Sequence, residues 1–320
     1  MTEVSRQIAR LSRVETTAAA DPLTQAVELS HYDLYAGDGH FHQAAAHDPR
    51  DAESGKKYAT GHCFTLNLRT QALSHLTVAD QAERKQEHDL RALKRLDIEL
   101  LRQGAPKGRR VLDVWDRAGI DFSQWQRWKK ASGLYFLSRE KENMRLEVIG
   151  QNPWERTDPR NQGVLADELV ATSQGVYVRR VIYRCPISAE EYRYLTNVND
   201  VPPGLIAHLY RARWEIEPSG ARPPAAGSPQ GRGGGRESWR SAGRASRAGG
   251  RWQKGFDELK NKLEEGQAWA SSATAKTMQA QFLCLAHHIS TYYLSLYTLH
   301  NTCPFTQHIT HFTHRRAEGQ

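Results

Sequence analysis

Residues 109–138, RRVLDVWDRAGIDFSQWQRWKKASGLYFLS, alternate between two kinds of local pattern. Arg109–Trp115 is a short strand-like run, and Asp116 follows it directly. The helical pattern of DFSQWQRWKKAS ends at Gly133, and Leu134–Ser138 then predicts a second strand. Strands that alternate with helices in this way indicate an α/β fold.

Regions on both sides of this stretch continue the alternation. His31–Asp38 predicts a short strand that ends on an acidic residue, and residues 62–80 predict two more strands. Residues 80–103 predict a helix, residues 145–197 are rich in β-type segments, and residues 204–217 predict another helix. The whole pattern indicates an α/β core with a β-rich insertion.

The composition is that of an ordinary soluble protein of one or two domains. The chain has 320 residues, of which 39% are hydrophobic and 25% are charged. No apolar run is long enough to cross a membrane and no signal-peptide segment is recognisable, so we expect a cytoplasmic protein. The cysteines are too far apart to favour a disulfide framework or a zinc knuckle; they are Cys63, Cys185, Cys284 and Cys303.

Most of the positive charge lies in one segment of unusual composition. Residues 218–253 hold seven Arg and one Glu, and they contribute +6 of the formal net charge of +8. Gly, Ala, Arg, Ser and Pro make up 31 of these 36 residues, a composition that cannot offset the entropy lost on ordering. We therefore predict a disordered low-complexity insert, and net charge gives little support to DNA binding by the folded part.

Two aspartates stand at the ends of predicted strands. Asp38 ends the strand that begins at His31, and Asp116 follows the strand that begins at Arg109. Carboxylates at strand ends lie at the edge where open α/β sheets bind ligands, and oxygen ligands suit Mg²⁺. Two such carboxylates on neighbouring strands could share one divalent ion. The alternative is that each aspartate simply forms a turn.

A third acidic residue shares one helix face with a tyrosine and an arginine. In YRARWEIE, residues 210–217, Tyr210, Arg213 and Glu217 are spaced i, i+3, i+7. This set suits a site where Glu217 binds a metal ion and the other two side chains bind phosphate oxygens. The alternative is an exposed helix face with a local Arg–Glu pair of little energetic value.

These residues resemble the Y-R-E-K signature of the bacterial insertion-sequence-four family of D-D-E transposases. Tyr210, Arg213 and Glu217 fit the spacing of that signature. Its lysine falls on Lys260 if residues 218–253 are removed, which also restores a continuous helical pattern. The excision therefore favours the interpretation that the segment is an insertion.

Other motifs support the same resemblance. They are similar to the family's first-Asp motif, its second-Asp motif, and the strand and arginine that follow: GDGHFH at 37–42, VWDRAG at 114–119 and LYFLSREKEN at 134–143. The resemblance covers roughly residues 31–300.

The resemblance implies a ribonuclease-H-like fold, in which a mixed sheet with flanking helices carries a β-rich insertion subdomain. It implies that Asp38, Asp116 and Glu217 hold two Mg²⁺ ions, or Mn²⁺ in their place, for phosphoryl transfer on DNA. The partners would be the double-stranded DNA of transposon ends and target, bound by a homodimer in the bacterial nucleoid, with no membrane. The DNA-binding residues that it implies are Tyr210, Arg213, Lys260 and Arg117.

Three departures from the family pattern predict a truncated or decayed copy. The segment before Asp38 is short, Pro218 disfavours helical geometry at Glu217, and the tail from residue 301 lacks apolar periodicity. Placement of a metal ligand must be tight, since a shift of about 1 Å can cost about 10²-fold in rate. The second hypothesis is therefore a non-catalytic DNA-binding remnant of a transposase.

The predicted layout divides the catalytic core into two parts. The predicted segments are an N-terminal segment (1–30), the first part of the core (31–143), the insertion subdomain (144–202), the rest of the core (203–217 and 254–300), the insert (218–253) and a loose tail (301–320).

Four histidines near Asp38 leave one further hypothesis open. His40, His42, His47 and His62 could form the zinc or manganese site of a hydrolase, because imidazole is a common metal ligand. Histidine pairs beside a polar loop also arise by chance.

Overall fold

The computed structural model of the chain describes residues 26–50, 60–70, 72–78, 96–117, 120–186, 188–214 and 267–302, and the single positions 23, 52, 55 and 57. Glu217, Lys260 and the predicted insert 218–253 lie outside these residues, as do most of the predicted N-terminal segment and tail. The predicted helix at 80–103 is described only from Leu96 onward.

Strands dominate the described part of the chain. In chain order the elements are β1 (Tyr32–His42), β2 (Thr60–Asn67), β3 (Leu73–Val78), α1 (Ile98–Arg102), β4 (Arg110–Val114), α2 (Phe122–Ser132), β5 (Leu134–Arg139), β6 (Leu146–Gln151), β7 (Val164–Thr172), β8 (Tyr177–Arg184), β9 (Glu191–Thr196), α3 (Pro203–Trp214) and α4 (Ala273–Thr302). Short 3-10 turns occupy Val27–Leu29 and Pro159–Asn161.

The described strands form one mixed sheet in the order β3-β2-β1-β4-β5-β9-β8-β7-β6. β1, β4 and β5 run parallel to one another, and the other neighbours are antiparallel. An antiparallel β1–β2–β3 unit followed by parallel β4 and β5 is the ribonuclease-H-like arrangement. Helices α2, α3 and α4 pack against this sheet, so the predicted fold class is confirmed.

The central strand β4 is buried on both faces, because helices cover both sides of the sheet. Val111 packs in a cluster with Trp125 of α2. Leu112 and Val114 point the other way, into a cluster with Leu209 of α3. A strand buried on both faces has a nearly continuous apolar sequence, which explains why this strand was recognisable from its pattern.

β1 is longer than its sequence pattern predicts. The prediction that this strand ends at Asp38 is wrong, because the strand continues to His42. Hydrogen bonds to β2 extend along residues 35–42, whereas β4 pairs with β1 only as far as Ala36. Among the described strands, only β2 therefore pairs with the second half of β1. The local sequence of β1 does not show which strand pairs with it.

The four strands β6–β9 extend the sheet of the core. β9 pairs antiparallel with β5, and β8, β7 and β6 follow in that order. The division into a catalytic core and an insertion subdomain stays a prediction. None of the described helices combines the length and apolar character that a membrane span needs.

Candidate active site at the ends of the parallel strands

Parallel pairing between β1 and β4 places Asp38 and Asp116 at the same end of two neighbouring strands. The last registered pair of these strands is Ala36 with Val114; Asp38 lies two residues further along β1, and Asp116 lies two residues beyond the end of β4. Side chains alternate along a strand, so a residue two positions on lies on the same face. Neighbouring strands are about 4.8 Å apart, a spacing at which two carboxylates can share one cation.

A glycine lets a tryptophan pack directly against β1 next to the two aspartates. Gly37 and Trp115 immediately precede the two aspartates. A Cβ atom added at Gly37 would lie 2.5 Å from atoms of the Trp115 ring, so a glycine is needed for the indole to pack this close to β1. Trp115 is buried, which holds the contact in place.

The backbone around the two aspartates is tied by short hydrogen bonds. The N–H of Gly39 donates to Oδ1 of Asp38 over 3.0 Å. The hydroxyl of Ser138 donates to the carbonyl oxygen of Asp116 over 2.8 Å, which links the end of β4 to β5. Ser138 is buried, whereas both aspartates are half-buried and so partly accessible from solvent.

Two arginines lie beside Asp116. The last registered pair of β4 and β5 is Val114 with Leu137, and Asp116 and Arg139 each lie two residues further along the chain. The guanidinium of Arg139 lies 5.0 Å from the ring centre of Tyr192. Arg117 is next in sequence, and its side chain is 38% exposed. Its nitrogen lies 3.9 Å from a carboxylate oxygen of Glu142, a surface ion pair that contributes little energy. Guanidinium groups in these places suit phosphate oxygens.

Aromatic rings connect Arg139, at the end of β5, to α3. Arg139 pairs with Tyr194 across β5 and β9, and the Tyr194 ring packs against Tyr210 with 4.9 Å between ring centres. Burial raises the pKa of the Tyr194 hydroxyl above its usual range. Tyr194 and Tyr210 belong to the same buried cluster as Ala36 and Val114. Helix α3 therefore covers the face of the sheet on which Asp38 and Asp116 lie; these two residues are called the aspartate row below.

Tyr210 and Arg213 are buried within α3's contact with the sheet. Each residue is 3% exposed, and the guanidinium of Arg213 lies 5.7 Å from the Tyr210 ring centre. The alternative of an exposed helix face is therefore wrong for these two residues. The predicted helix is confirmed over Pro203–Trp214, where the neighbouring Arg211 is exposed.

The third predicted carboxylate, Glu217, and the predicted DNA-binding Lys260 lie outside the described residues. Within the described ranges, no three His, Cys, Asp or Glu side chains group closely enough to hold a metal ion. The described part of the site thus contributes two of the three predicted carboxylates, with arginines on one side and α3 above them.

A family match decides which kind of protein carries this site. The model of a family described as "Transposase DDE domain" matches residues 30–221, which is more than half of the chain. The chain belongs to this transposase family. The match spans Asp38, Asp116 and Glu217. Membership of the insertion-sequence-four family, with its Y-R-E-K signature, stays a prediction.

Two solved structures are similar to the transposase over much of its length. The catalytic domain of human endonuclease V is 10% identical, with 64% of this chain and 84% of that one covered and a TM-score of 0.27. Endonuclease V of Ciona intestinalis, in complex with a DNA that contains inosine, is 9% identical, with 65% and 87% covered and a TM-score of 0.27. A TM-score this low supports no further conclusion. No curated protein matches the transposase chain.

One more acidic residue of the transposase lies close in sequence but on the other face of the sheet. Asp113 lies on β4, three residues before Asp116 in sequence, and is 2% exposed. Burial raises the pKa of its carboxyl well above the ordinary value, which favours the neutral acid. Its Oδ2 atom has no hydrogen-bond partner among the described residues. Strand alternation therefore places a buried carboxyl with a raised pKa on the face opposite the half-exposed aspartate row.

The histidines near Asp38 give the hydrolase hypothesis no support within the described residues. His42 and His62 are buried with 4.7 Å between ring centres, whereas His47 is exposed. His62 Nδ1 lies 3.3 Å from Nε2 of His75, and burial lowers the pKa of His75 to about 4. The prediction for the His40 side chain lies outside what the structure describes.

Sequence reasoning missed two residues that shape the transposase site. The ring of Trp115 packs directly against Gly37. The available signal was a residue of extreme size directly before each aspartate. This signal does not indicate a contact until the register of the strands is known.

Proposed function

We propose that this transposase domain cleaves DNA strands and joins the freed 3′-hydroxyl ends to target DNA at the ends of an insertion sequence. The observation that carries the proposal is the row formed by Asp38 and Asp116, two residues beyond the last registered pair of neighbouring parallel strands. Glu217, inside the residues matched by the family, is proposed as the third carboxylate.

The carboxylates of Asp38 and Asp116 fit a hard divalent cation. We propose Mg²⁺, with Mn²⁺ as a substitute. Asp38 and Asp116 both offer carboxylate oxygens and both are partly accessible. Mg²⁺ commonly takes one or two protein carboxylates and completes its shell with water and phosphate oxygens. When bound here, such ions would activate the attacking hydroxyl and neutralise charge at the phosphate.

Basic side chains around the row would orient the DNA backbone. Arg117 and Arg139 flank Asp116, and a guanidinium can form paired hydrogen bonds to a phosphate. Phosphoryl transfer depends mainly on positioning and on charge stabilisation, so fixed cations beside the carboxylates would accelerate it. We also propose Tyr210, Arg213 and Lys260 as DNA contacts; for the first two, DNA binding would have to relieve their burial.

The test is an assay of strand nicking and strand transfer on DNA that carries the inverted repeats flanking the native gene. The full chain and a version that lacks residues 218–253 are incubated with Mg²⁺, with Mn²⁺ and with a chelator. Asp38→Asn and Asp116→Asn should abolish cleavage. Asp113→Asn changes an acid on the same strand but on the other face, so it should leave cleavage intact.

Two results would overturn the proposal in different ways. Metal-dependent cleavage that survives both Asp38→Asn and Asp116→Asn would remove the site assignment. Salt-dependent DNA binding without cleavage by either version would instead indicate a non-catalytic DNA-binding remnant. Sedimentation of the protein–DNA complex tests the proposed homodimer.

A further inference from the structure

Arg179 of β8 forms a buried ion pair on the face of the sheet that α3 covers. Its side chain is 5% exposed, and its partner Asp167 on β7 is 1% exposed. Nε of Arg179 donates to both carboxylate oxygens of Asp167 over 2.9 and 3.1 Å, and Nη2 donates to Oδ2. Nδ2 of Asn152 also donates to Oδ1 of Asp167 over 2.8 Å. The carboxylate therefore fixes the direction of the guanidinium.

The remaining guanidinium nitrogen binds the backbone that leads into α3. Nη1 of Arg179 donates to the carbonyl oxygen of Val201 over 2.7 Å and to that of Val198 over 3.2 Å. Both valines are buried, and α3 begins at Pro203. One planar guanidinium can bind a carboxylate and two carbonyls together because its donors point in fixed directions.

A second contact, from the 3-10 turn Pro159–Asn161 between β6 and β7, holds the first turn of α3. Oδ1 of Asn161 accepts a hydrogen bond from the N–H of Gly204 over 2.9 Å, and its Nδ2 donates to the carbonyl of Glu155 over 2.8 Å. A Cβ atom at Gly204 would lie 1.8 Å from the carbonyl oxygen of Arg160, so the helix begins in direct backbone contact with the turn at 159–161. The start of α3 is thus held at two points.

We propose that Arg179 is a positioning residue of the active site. By holding the start of α3, it sets where Tyr210 and Arg213 lie against the sheet. The inference rests on the proposed function. Under it, contacts from β7 and β8 align the helix that precedes the proposed third carboxylate, Glu217, in sequence.

The length of α3 makes its alignment sensitive to the start of the helix. Ten residues separate Pro203 from Arg213, which corresponds to about 15 Å at the rise of an α-helix. A tilt of about 4° at the first turn would therefore move Arg213 by about 1 Å. Misplacement of this size can reduce a catalysed rate by about 10²-fold.

The neighbouring Arg180 provides a matched control. It lies on the same strand, pairs with Glu168 over 2.6 Å and with Glu140 over 3.5 Å, and its side chain is 12% exposed. Since adjacent residues of a strand point to opposite faces, Arg180 lies on the face away from α3. Replacing either arginine by lysine keeps the charge and removes the planar arrangement of hydrogen-bond donors.

The experiment compares wild type, Arg179→Lys and Arg180→Lys as the full chain. Hydrogen–deuterium exchange of residues 203–214 is followed by mass spectrometry, and DNA cleavage is measured over a range of Mg²⁺ concentrations. Arg179→Lys should exchange about tenfold faster in residues 203–214 and not in β1 or β4. Its cleavage rate should fall by about 10²-fold, and its half-saturating Mg²⁺ concentration should rise. Arg180→Lys should change none of these readouts beyond about twofold.

The exchange measurement tests the positioning role, and the cleavage measurement tests the proposed function, so the two claims can be overturned independently. Unchanged exchange in residues 203–214 of Arg179→Lys, or the same acceleration in Arg180→Lys, would overturn the positioning role, whatever the activity. Altered exchange of α3 with wild-type cleavage and Mg²⁺ dependence would also overturn it. If wild type itself does not cleave DNA, the proposed function fails, whereas the exchange comparison still decides whether Arg179 aligns α3.

Discussion

The indole of Trp115 lies so close to Gly37 that an added Cβ atom would come within 2.5 Å of the ring. The two residues stand one position beyond the last registered pair of β1 and β4. The next residue on each strand is Asp38 or Asp116. We expect this packing contact on one face of the sheet to set the separation of the two carboxylates on the other.

Gly37→Ala should disturb this contact and, through it, the carboxylate pair. The new methyl group must displace the Trp115 ring, and overpacking of this kind costs roughly 1–3 kcal/mol. The free energy of unfolding, measured in denaturant, should fall by that amount, and Mg²⁺-dependent cleavage should fall with it.

Gly150→Ala is the control for this substitution. Gly150 lies in β6, and nothing lies within 4 Å of a Cβ atom added there. Its variant should be as stable as wild type. A Gly37→Ala protein with wild-type stability would show that the ring has room to move and does not set the strand separation.

Asp113→Asn should change how stability depends on pH. The folded-state pKa of Asp113 is raised above 3.8, so folding favours the protonated acid. The corresponding stability is fully present below pH 3.8 and is lost as pH rises through the folded-state pKa, by up to about 1.4 kcal/mol per pH unit. Asparagine cannot ionise, so the variant should gain on wild type as pH rises. Parallel unfolding curves of the two proteins against pH would contradict this account.

His75→Gln should change the pH dependence in the opposite sense. Burial lowers the folded-state pKa of His75 to about 4 from 6.5, so between these pH values the unfolded chain binds a proton that the folded protein does not. Stability should fall as pH drops from 6.5 towards 4, by up to about 1.4 kcal/mol per pH unit. The variant should lose part of this slope. His47→Gln, at an exposed site, should keep it, and an equal effect of both variants would refute the role of burial.

Lys276→Met should destabilise the docking of α4. The Lys276 ammonium lies 3.0 Å from the Asp48 carboxylate, and both side chains are buried, at 6% and 7% exposed. Removing one partner leaves a buried charge uncompensated, at a cost of roughly 3–5 kcal/mol. Asp48→Asn with Lys276→Met should cost less than the two single changes added together. Simple additivity in this double-mutant cycle, measured by denaturant unfolding, would show that the pair is not coupled.

The local sequence pattern predicts a strand or helix correctly where the element's own side chains determine its conformation. The strands around Val111 and Leu137 were predicted because both are central and apolar, and the first turns of α3 because their apolar positions recur at helical spacing. The far half of β1 was missed because hydrogen bonds to β2 maintain it through Gly37 and Gly39. The burial of Tyr210 and Arg213 was missed because polar side chains do not reveal which face of a helix meets a sheet.

The amino-acid sequence alone indicates the α/β class, the three ordered acidic motifs and the resemblance to D-D-E transposases. Each of these features depends on residues that are close together in the sequence. The placement of Asp38 beside Asp116, the packing of Trp115 on Gly37 and the hold of Arg179 on the start of α3 depend on the folded chain. Strand register and helix docking are properties of pairs of elements, so no single segment encodes them.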